Sequence, residues 1–225
     1  MESKQLQSAR DLYLKEAKLD PYKGAYRVNL AQIAAIKANR DKDASAAGEG
    51  LNHARIASEL EPYNTSLHAA VFSIYGMLGR PDLQLSEAES AIRANPYLPA
   101  PYEQMAGVTM QIAMQYLDKG QNEDAFSYFR KLLLARNKMP AEIGDSTPGF
   151  NLAAGQSALL LGETDQARKY FNLLLQDENK HVKTARLWLK GVDFMEARMK
   201  SRIDGTTFAI PDLSALQVFL KQQKS

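Results

Sequence analysis

The sequence predicts an all-α protein built from repeated helix pairs, and three observations carry that prediction. First, Leu19-Asp20-Pro21-Tyr22, Leu60-Glu61-Pro62-Tyr63 and Ala94-Asn95-Pro96-Tyr97 each close an Ala-rich run with a polar residue, a proline and a tyrosine. Second, the prolines stand 41 and then 34 residues apart. Third, apolar residues between them recur at the spacing of an amphipathic helix, and no segment alternates as a strand would. Proline lacks an N–H and disfavours helix in the residue before it, so each site ends a helix. A turn that returns at near-regular spacing, with helix between, marks a repeat protein.

The elements follow in order. Residues 6–20 read as a helix with Leu6, Ala9, Leu12, Tyr13, Ala17 and Leu19 on its apolar side. It has no preceding helix to pair with, so the chain reads as cut from a longer one. A second helix runs from Gly24 to Asn39 with Tyr26, Leu30, Ile33, Ala34 and Ala38 inward. Asp41 or Asp43 caps the next, because a short side-chain oxygen accepts from the free N–H groups of a first turn. That helix presents Ala47, Gly50, Leu51, Ala54, Ala57 and Leu60, mostly small residues that permit close helix approach. Leu67 to Leu78 is helical around Val71, Ile74 and Tyr75, and Gly79 ends it in the left-handed conformation. Pro81 suits the first turn of the following helix, which carries Leu83, Ala88, Ala91 and Ile92. The tyrosines after the prolines are expected to pack at the hairpin junctions.

Pro99 and Pro101 open a helix that runs to Leu117 with Tyr102, Met105, Met110, Ile112 and Ala113. Gly120 ends it, Asn122 caps the next, and Ala125, Phe126, Phe129, Leu132 and Leu133 form that helix's stripe. Residues 137–149 read as a loop of a length often functional or mobile. Phe150 to Leu161 is helical, Gly162 ends it, and Thr164 caps a helix with Ala167, Tyr170, Phe171 and Leu174 inward. A long helix from His181 to Lys200 holds Trp188, and residues 201–210 read as irregular. Pro211 and Asp212 start a last helix with Leu213, Leu216, Phe219 and Leu220, which would cover the end of a stack.

Composition excludes several functions. The 225 residues carry a net charge of +2 from 28 basic and 26 acidic side chains, too balanced for a nucleic-acid binder. With no cysteine there is no disulfide, thiolate metal site or cysteine nucleophile. Met1-Glu2-Ser3-Lys4 leads into a polar amphipathic run without the apolar region of a secretory signal. No window approaches the ~20 apolar residues of a membrane span. The chain as given reads as a soluble domain.

In this register the chain resembles the tetratricopeptide repeat family. Gly120, Ala125 and Phe129 match its glycine, alanine and aromatic positions, and Gly162, Ala167 and Phe171 repeat the spacing. Tyr75, Gly79, Ala91 and Pro96 match four positions, and Ala57 and Pro62 the same closing pair one unit earlier. The resemblance covers residues 6–180, in units ending near Pro21, Pro62, Pro96, Asn137 and Asn179, with residues 181–225 as C-terminal capping helices. It implies a right-handed superhelix of antiparallel helix pairs with a C-terminal capping helix. The large residue that the family places early in the first helix appears as Tyr102 but is His68 one unit before. The Pro-Tyr junctions, with Tyr26 and Asn29-Leu30-Ala31 after the first, also resemble the tetratricopeptide tails of bacterial O-antigen ligase/polymerase-like membrane proteins. That implies a domain tethered to a bacterial membrane, with glycan transfer in the upstream membrane portion. The alternative is a free cytoplasmic adaptor that binds an extended peptide.

Candidate chemistry is sparse, and the sequence reads as non-enzymatic, with no cofactor and no metal. His53, His68 and His181 have no metal-ligand spacing and read as packing or surface residues. Gly144-Asp145-Ser146 would suit a hydrolase nucleophile, but no second motif supplies a base, and turn chemistry explains it. Met77, Met105, Met110 and Met114 read as packing filler more than as a pliable surface. His181, Lys183, Arg186, Lys190, Arg198, Lys200 and Arg202, with only Asp193 and Glu196 among them, form a basic stretch, read first as a solvated face. The resemblance places the first helix of each pair along an inner groove. This points to Asn29, Gln32, Ser73, Gln104, Gln111 and Gln156, hydrogen-bonding side chains able to hold a peptide backbone. Of the family's basic clamp for a terminal carboxylate only Asn29 is present; Ala100 and Gln104 stand where basic residues would.

Overall fold

The computed structural model describes residues 2–176, 180–201 and 213–223, and these are helical with no strand among them. The helices are α1 (Glu2–Leu19), α2 (Gly24–Asp41), α3 (Ala44–Leu60), α4 (Thr65–Met77), α5 (Pro81–Ala94) and α6 (Pro99–Asp118). They continue as α7 (Asn122–Lys138), α8 (Pro148–Leu160), α9 (Thr164–Leu173), α10 (Val182–Ser201) and α11 (Leu213–Gln222). The chain divides into two compact units, Met1–Met105 and Ala106–Ser225.

Two local devices build the array. The first is the turn inside each pair. Gly79, Gly120 and Gly162 take φ of 67°, 72° and 83°, the left-handed ends expected of them. The next N–H then reaches back five residues, from Arg80 to Tyr75, Gln121 to Tyr116 and Glu163 to Ala158. Asp43 N–H bonds Ala38 C=O in the same way, but there the left-handed residue is Lys42, at φ 54°. A Cβ strains that conformation, so Lys42→Gly should stabilise the chain by about 1 kcal/mol. Urea unfolding should show a higher midpoint at unchanged slope, and Lys42→Ala, which keeps a Cβ, should not.

This turn also corrects two expectations. Asn122 and Thr164 do not cap their helices. The residue that closes the turn, Gln121 or Glu163, already stands at the N-cap, without a side-chain bond. Asp43, by contrast, caps α3 by accepting from Ser45 and Ala46 N–H.

The second device joins successive pairs. Helices α1, α3 and α5 end just before Asp20-Pro21, Glu61-Pro62 and Asn95-Pro96. Lys23 N–H then bonds Asp20 C=O, Asn64 bonds Glu61, and Leu98 bonds Asn95. Each is a tight turn with proline second and tyrosine third, a position whose side chain points away from the chain reversal. Tyr22, Tyr63 and Tyr97 are accordingly 80%, 84% and 61% exposed, so they do not pack at the junctions as expected.

In the first unit α2 pairs with α3 and α4 with α5, while α4 also lies against α2 and α3, and α1 packs on α2. A helix that touches its second neighbour is what stacked hairpins produce. The core is Ala31, Ala35, Ala54 and Ala57 against Leu67, Val71, Ile74 and Tyr75. Glu61 ties the joints together. Its carboxylate accepts from Gly24 N–H at 2.7 Å, at the N-terminus of α2 where an anion is favoured, and from Asn64 Nδ2 at 2.7 Å.

In the second unit α7, α8, α9, α10 and α11 pack in succession, and α10 also reaches α8. Tyr116 of α6 stacks on Tyr128 of α7 at 5.6 Å. Phe129, Phe150 and Phe171 are fully buried, Phe171 stacks on Trp188 of α10, and α11 closes on α10 through Phe219 and Phe194. The loop expected at 137–149 is the shorter connection between α7 and α8, tied down by buried side chains. Helix α7 continues to Lys138, a 3-10 turn spans Ala141–Ile143, and Met139, Ile143 and Thr147 are buried. Asn151 locks it by donating to Gly144 C=O at 2.9 Å and accepting from Arg136 Nε at 2.8 Å. The unit end at Asn179, the irregular segment with Arg202, and the start at Pro211 and Asp212 lie outside the described residues.

Candidate functional site

The repeat register sets polar side chains against each other inside the first unit. Arg27, His68 and Tyr102 each stand six residues after a joint proline. His53 and Glu87 each stand nine residues before the next one. The paired helices bring equivalent positions together: Arg27 Nη1 lies 3.5 Å from His53 Nδ1, and His68 Nδ1 lies 2.5 Å from Glu87 Oε1. Two successive hairpins thus carry a polar pair at the same place.

The first pair continues outward to Glu49, which takes the guanidinium of Arg10 at 2.8 Å. Burial, then the Arg27 charge, holds the His53 imidazole below its ordinary pKa, although Glu49 opposes the shift. His53 is therefore neutral at pH 7, with Nδ1 toward the Arg27 donor.

The second pair is more enclosed. His68 is 2% exposed and Glu87 6%. His68 Nε2 faces the Pro62 carbonyl at 3.0 Å, which can only accept, so that nitrogen carries a hydrogen. Its Nδ1 faces the Glu87 carboxylate, so the ring is held between a carbonyl and a carboxylate. Ser58 of α3 donates to the same Glu87 oxygen at 2.7 Å, so three helices meet at one carboxylate. Burial, with the Glu87 charge second, pushes the neighbouring Tyr75 hydroxyl up to about 12, which keeps it a neutral donor.

Above this pair opens a cleft of about 590 Å³. Arg55, Ser58 and Glu59 of α3 form one wall, and Leu83, Ser86, Ser90, Arg93 and Ala94 of α5 the other. His68 and Tyr75 lie at its floor, and Pro62 and Tyr63 at one end. Arg55 is held by Glu59 at 2.6 Å, and Arg93 donates to Ser90 at 2.8 Å. Both nitrogens of His68 are engaged in bonds that hold the fold.

The six residues expected to line a groove all fall on first helices of their pairs. Asn29 and Gln32 are on α2, Ser73 on α4, Gln104 and Gln111 on α6, and Gln156 on α8. Gln32 and Ser73 occupy equivalent positions on the packed helices α2 and α4, and both are exposed. Ser73 donates to Ala69 C=O of its own helix. Asn29, Gln104 and Gln156 are half-buried, and Gln111 is exposed. None of the six lines the cleft, which is walled by second helices.

Ser146 is exposed, and its N–H closes a turn onto Ile143 C=O. In the basic stretch, Asp193 and Glu196 are taken by Arg168 of α9 at 2.8 and 2.9 Å, which leaves Lys183 and Arg186 exposed on α10. The side chains of Lys200 and Arg202 lie outside the described residues. Met105 is buried, as filler should be, but Met77 and Met114 are exposed.

Sequence reasoning noted His68 as a departure from the family pattern but missed Glu87 and the cleft. The signal was present: counting from the joint prolines pairs position 68 with 87 as it pairs 27 with 53. Among the described residues no cluster of His, Asp and Glu could hold a metal, and no helix is long and apolar enough to cross a membrane. No protein-family model matches the chain, and no curated protein matches it.

Proposed function

We propose that this chain is a non-catalytic scaffold of the tetratricopeptide type, which binds or positions another protein or another part of a longer chain of its own. The setting we favour is the region outside the membrane of a bacterial polysaccharide-assembly protein. One observation carries the scaffold reading. The same left-handed turn closes four pairs, and the same Pro-Tyr turn precedes α2, α4 and α6. Such repetition multiplies surface without building a central pocket, and extended binding surfaces are what stacked hairpins serve. The first helices offer neutral hydrogen-bonding side chains at repeated positions, suited to a peptide backbone.

The test uses a linear peptide selected from a random display library on the whole chain. Gln32→Arg with Ser73→Arg, two exposed positions on neighbouring first helices, should weaken that peptide roughly tenfold. Unchanged binding places the contact elsewhere, and failure to select any peptide removes the scaffold reading. The membrane setting is tested separately by the coding sequence upstream of Met1: an in-frame multi-span segment supports it, and an in-frame stop removes it.

A further inference from the structure

We propose that the cleft between α3 and α5 is a saccharide-binding site, a function beyond the scaffold reading and independent of it. Its chemistry selects the ligand class. The charges at the cleft are largely compensated: Arg55 sits on Glu59, and His68 on Glu87. A multiply charged phosphate would find no concentrated positive field there. The remaining groups are hydroxyls from Ser86, Ser90 and Tyr75 beside planar guanidinium and carboxylate groups, which between them both donate and accept.

A sugar ring has the complementary surface, with hydroxyls that donate and accept around its rim and C–H groups on its face. The apolar face has a partner in Tyr63, which borders the cleft yet is 84% exposed. An aromatic ring left in water beside a cleft that carries hydroxyls is an amphipathic platform, apolar on its face and polar at its tip. The volume, about 590 Å³, is of the size that small-molecule sites occupy.

The floor is preorganised. Glu87 is fixed by His68 and Ser58 together, and His68 by the Pro62 carbonyl, so the Pro-Tyr turn that presents Tyr63 is anchored to the same buried pair. A ligand therefore meets a ring and a polar wall whose relative positions are already set, which lowers the ordering cost of binding.

The experiment is titration of the whole chain with lactose, maltose and chitobiose, followed by amide chemical shifts. Expected are saturable shifts at Tyr63, Ser86 and Arg93. Tyr63→Ala should weaken binding roughly tenfold, the loss of about 1.4 kcal/mol of ring contact. Ser86→Trp, an exposed position that fills the cleft without touching the buried pair, should abolish it. Shifts that survive both substitutions, or no saturable shift with any of the three disaccharides, overturn the proposal. So does displacement of no disaccharide by a tenfold excess of another, the mark of non-specific contact. The peptide selected for the scaffold test serves as the separating control. Loss of peptide binding with sugar shifts intact leaves this proposal standing, and a peptide that itself moves Tyr63 and Ser86 while the sugars do not removes it.

Discussion

Gly155→Leu is expected to cost the second unit about 3 kcal/mol of stability, the upper range for overpacking a dense core. The reason is a single close approach. A Cβ at Gly155 in α8 would lie 2.5, 2.8 and 2.9 Å from three ring carbons of Phe171 in α9. Phe171 has little room to step aside: it is fully buried, and its ring also stacks on Trp188 at 6.2 Å. Either α8 and α9 separate or the ring leaves Trp188, and each opens apolar surface to water. Trp188 is the only tryptophan, so its fluorescence reports this core directly. Urea titration should show an early fall and a shifted native emission. The control is Gly107→Ala in α6, where a Cβ would meet nothing within 4 Å. That change should stabilise by about 0.8 kcal/mol through helix propensity alone. A neutral Gly155→Leu would show that α8 and α9 are not so closely packed.

Glu87→Ala is expected to destabilise the first unit by about 3–5 kcal/mol, because it strands a buried partner. It leaves the 2% exposed His68 imidazole with Nδ1 facing an apolar hole, and Ser58 loses its acceptor. The double change His68→Leu with Glu87→Leu should recover most of that loss, since apolar groups of similar size need no partner there. One repeat further on, Tyr102 stands at the position of His68 and is buried, so the register accepts an apolar-bodied side chain. Equilibrium unfolding of both single variants and the double measures the coupling. Additive losses would mean that the two groups do not act as a pair.

Helix existence was legible because it depends on neighbours in sequence. Proline ends α1, α3 and α5 for want of an N–H, and Gly79, Gly120 and Gly162 close α4, α6 and α8 because the left-handed turn excludes a Cβ. The same turn at Lys42 was not legible, since lysine gives no hint of it. The connection expected at 137–149 lies between Lys138 and Pro148, and its buried side chains could not be read from its length. Its order comes from Asn151, which lies in the next helix and reaches back to Gly144.

By itself, then, the sequence determined where helices start and stop and the period at which pairs recur. These follow from backbone sterics and hydrogen bonding within a few residues. Only the tertiary structure decided which side chains face one another. Gly155 reads in sequence as a break in an apolar run, and becomes a contact only when Phe171 is laid against it. Tyr63 reads as a junction residue, and is left in water because the third position of its turn points outward. His68 reads as a departure from the repeat pattern and Glu87 as an ordinary polar residue until α4 and α5 close and exclude water from both. Burial is a property of the packed pair, and no local rule along the chain encodes it.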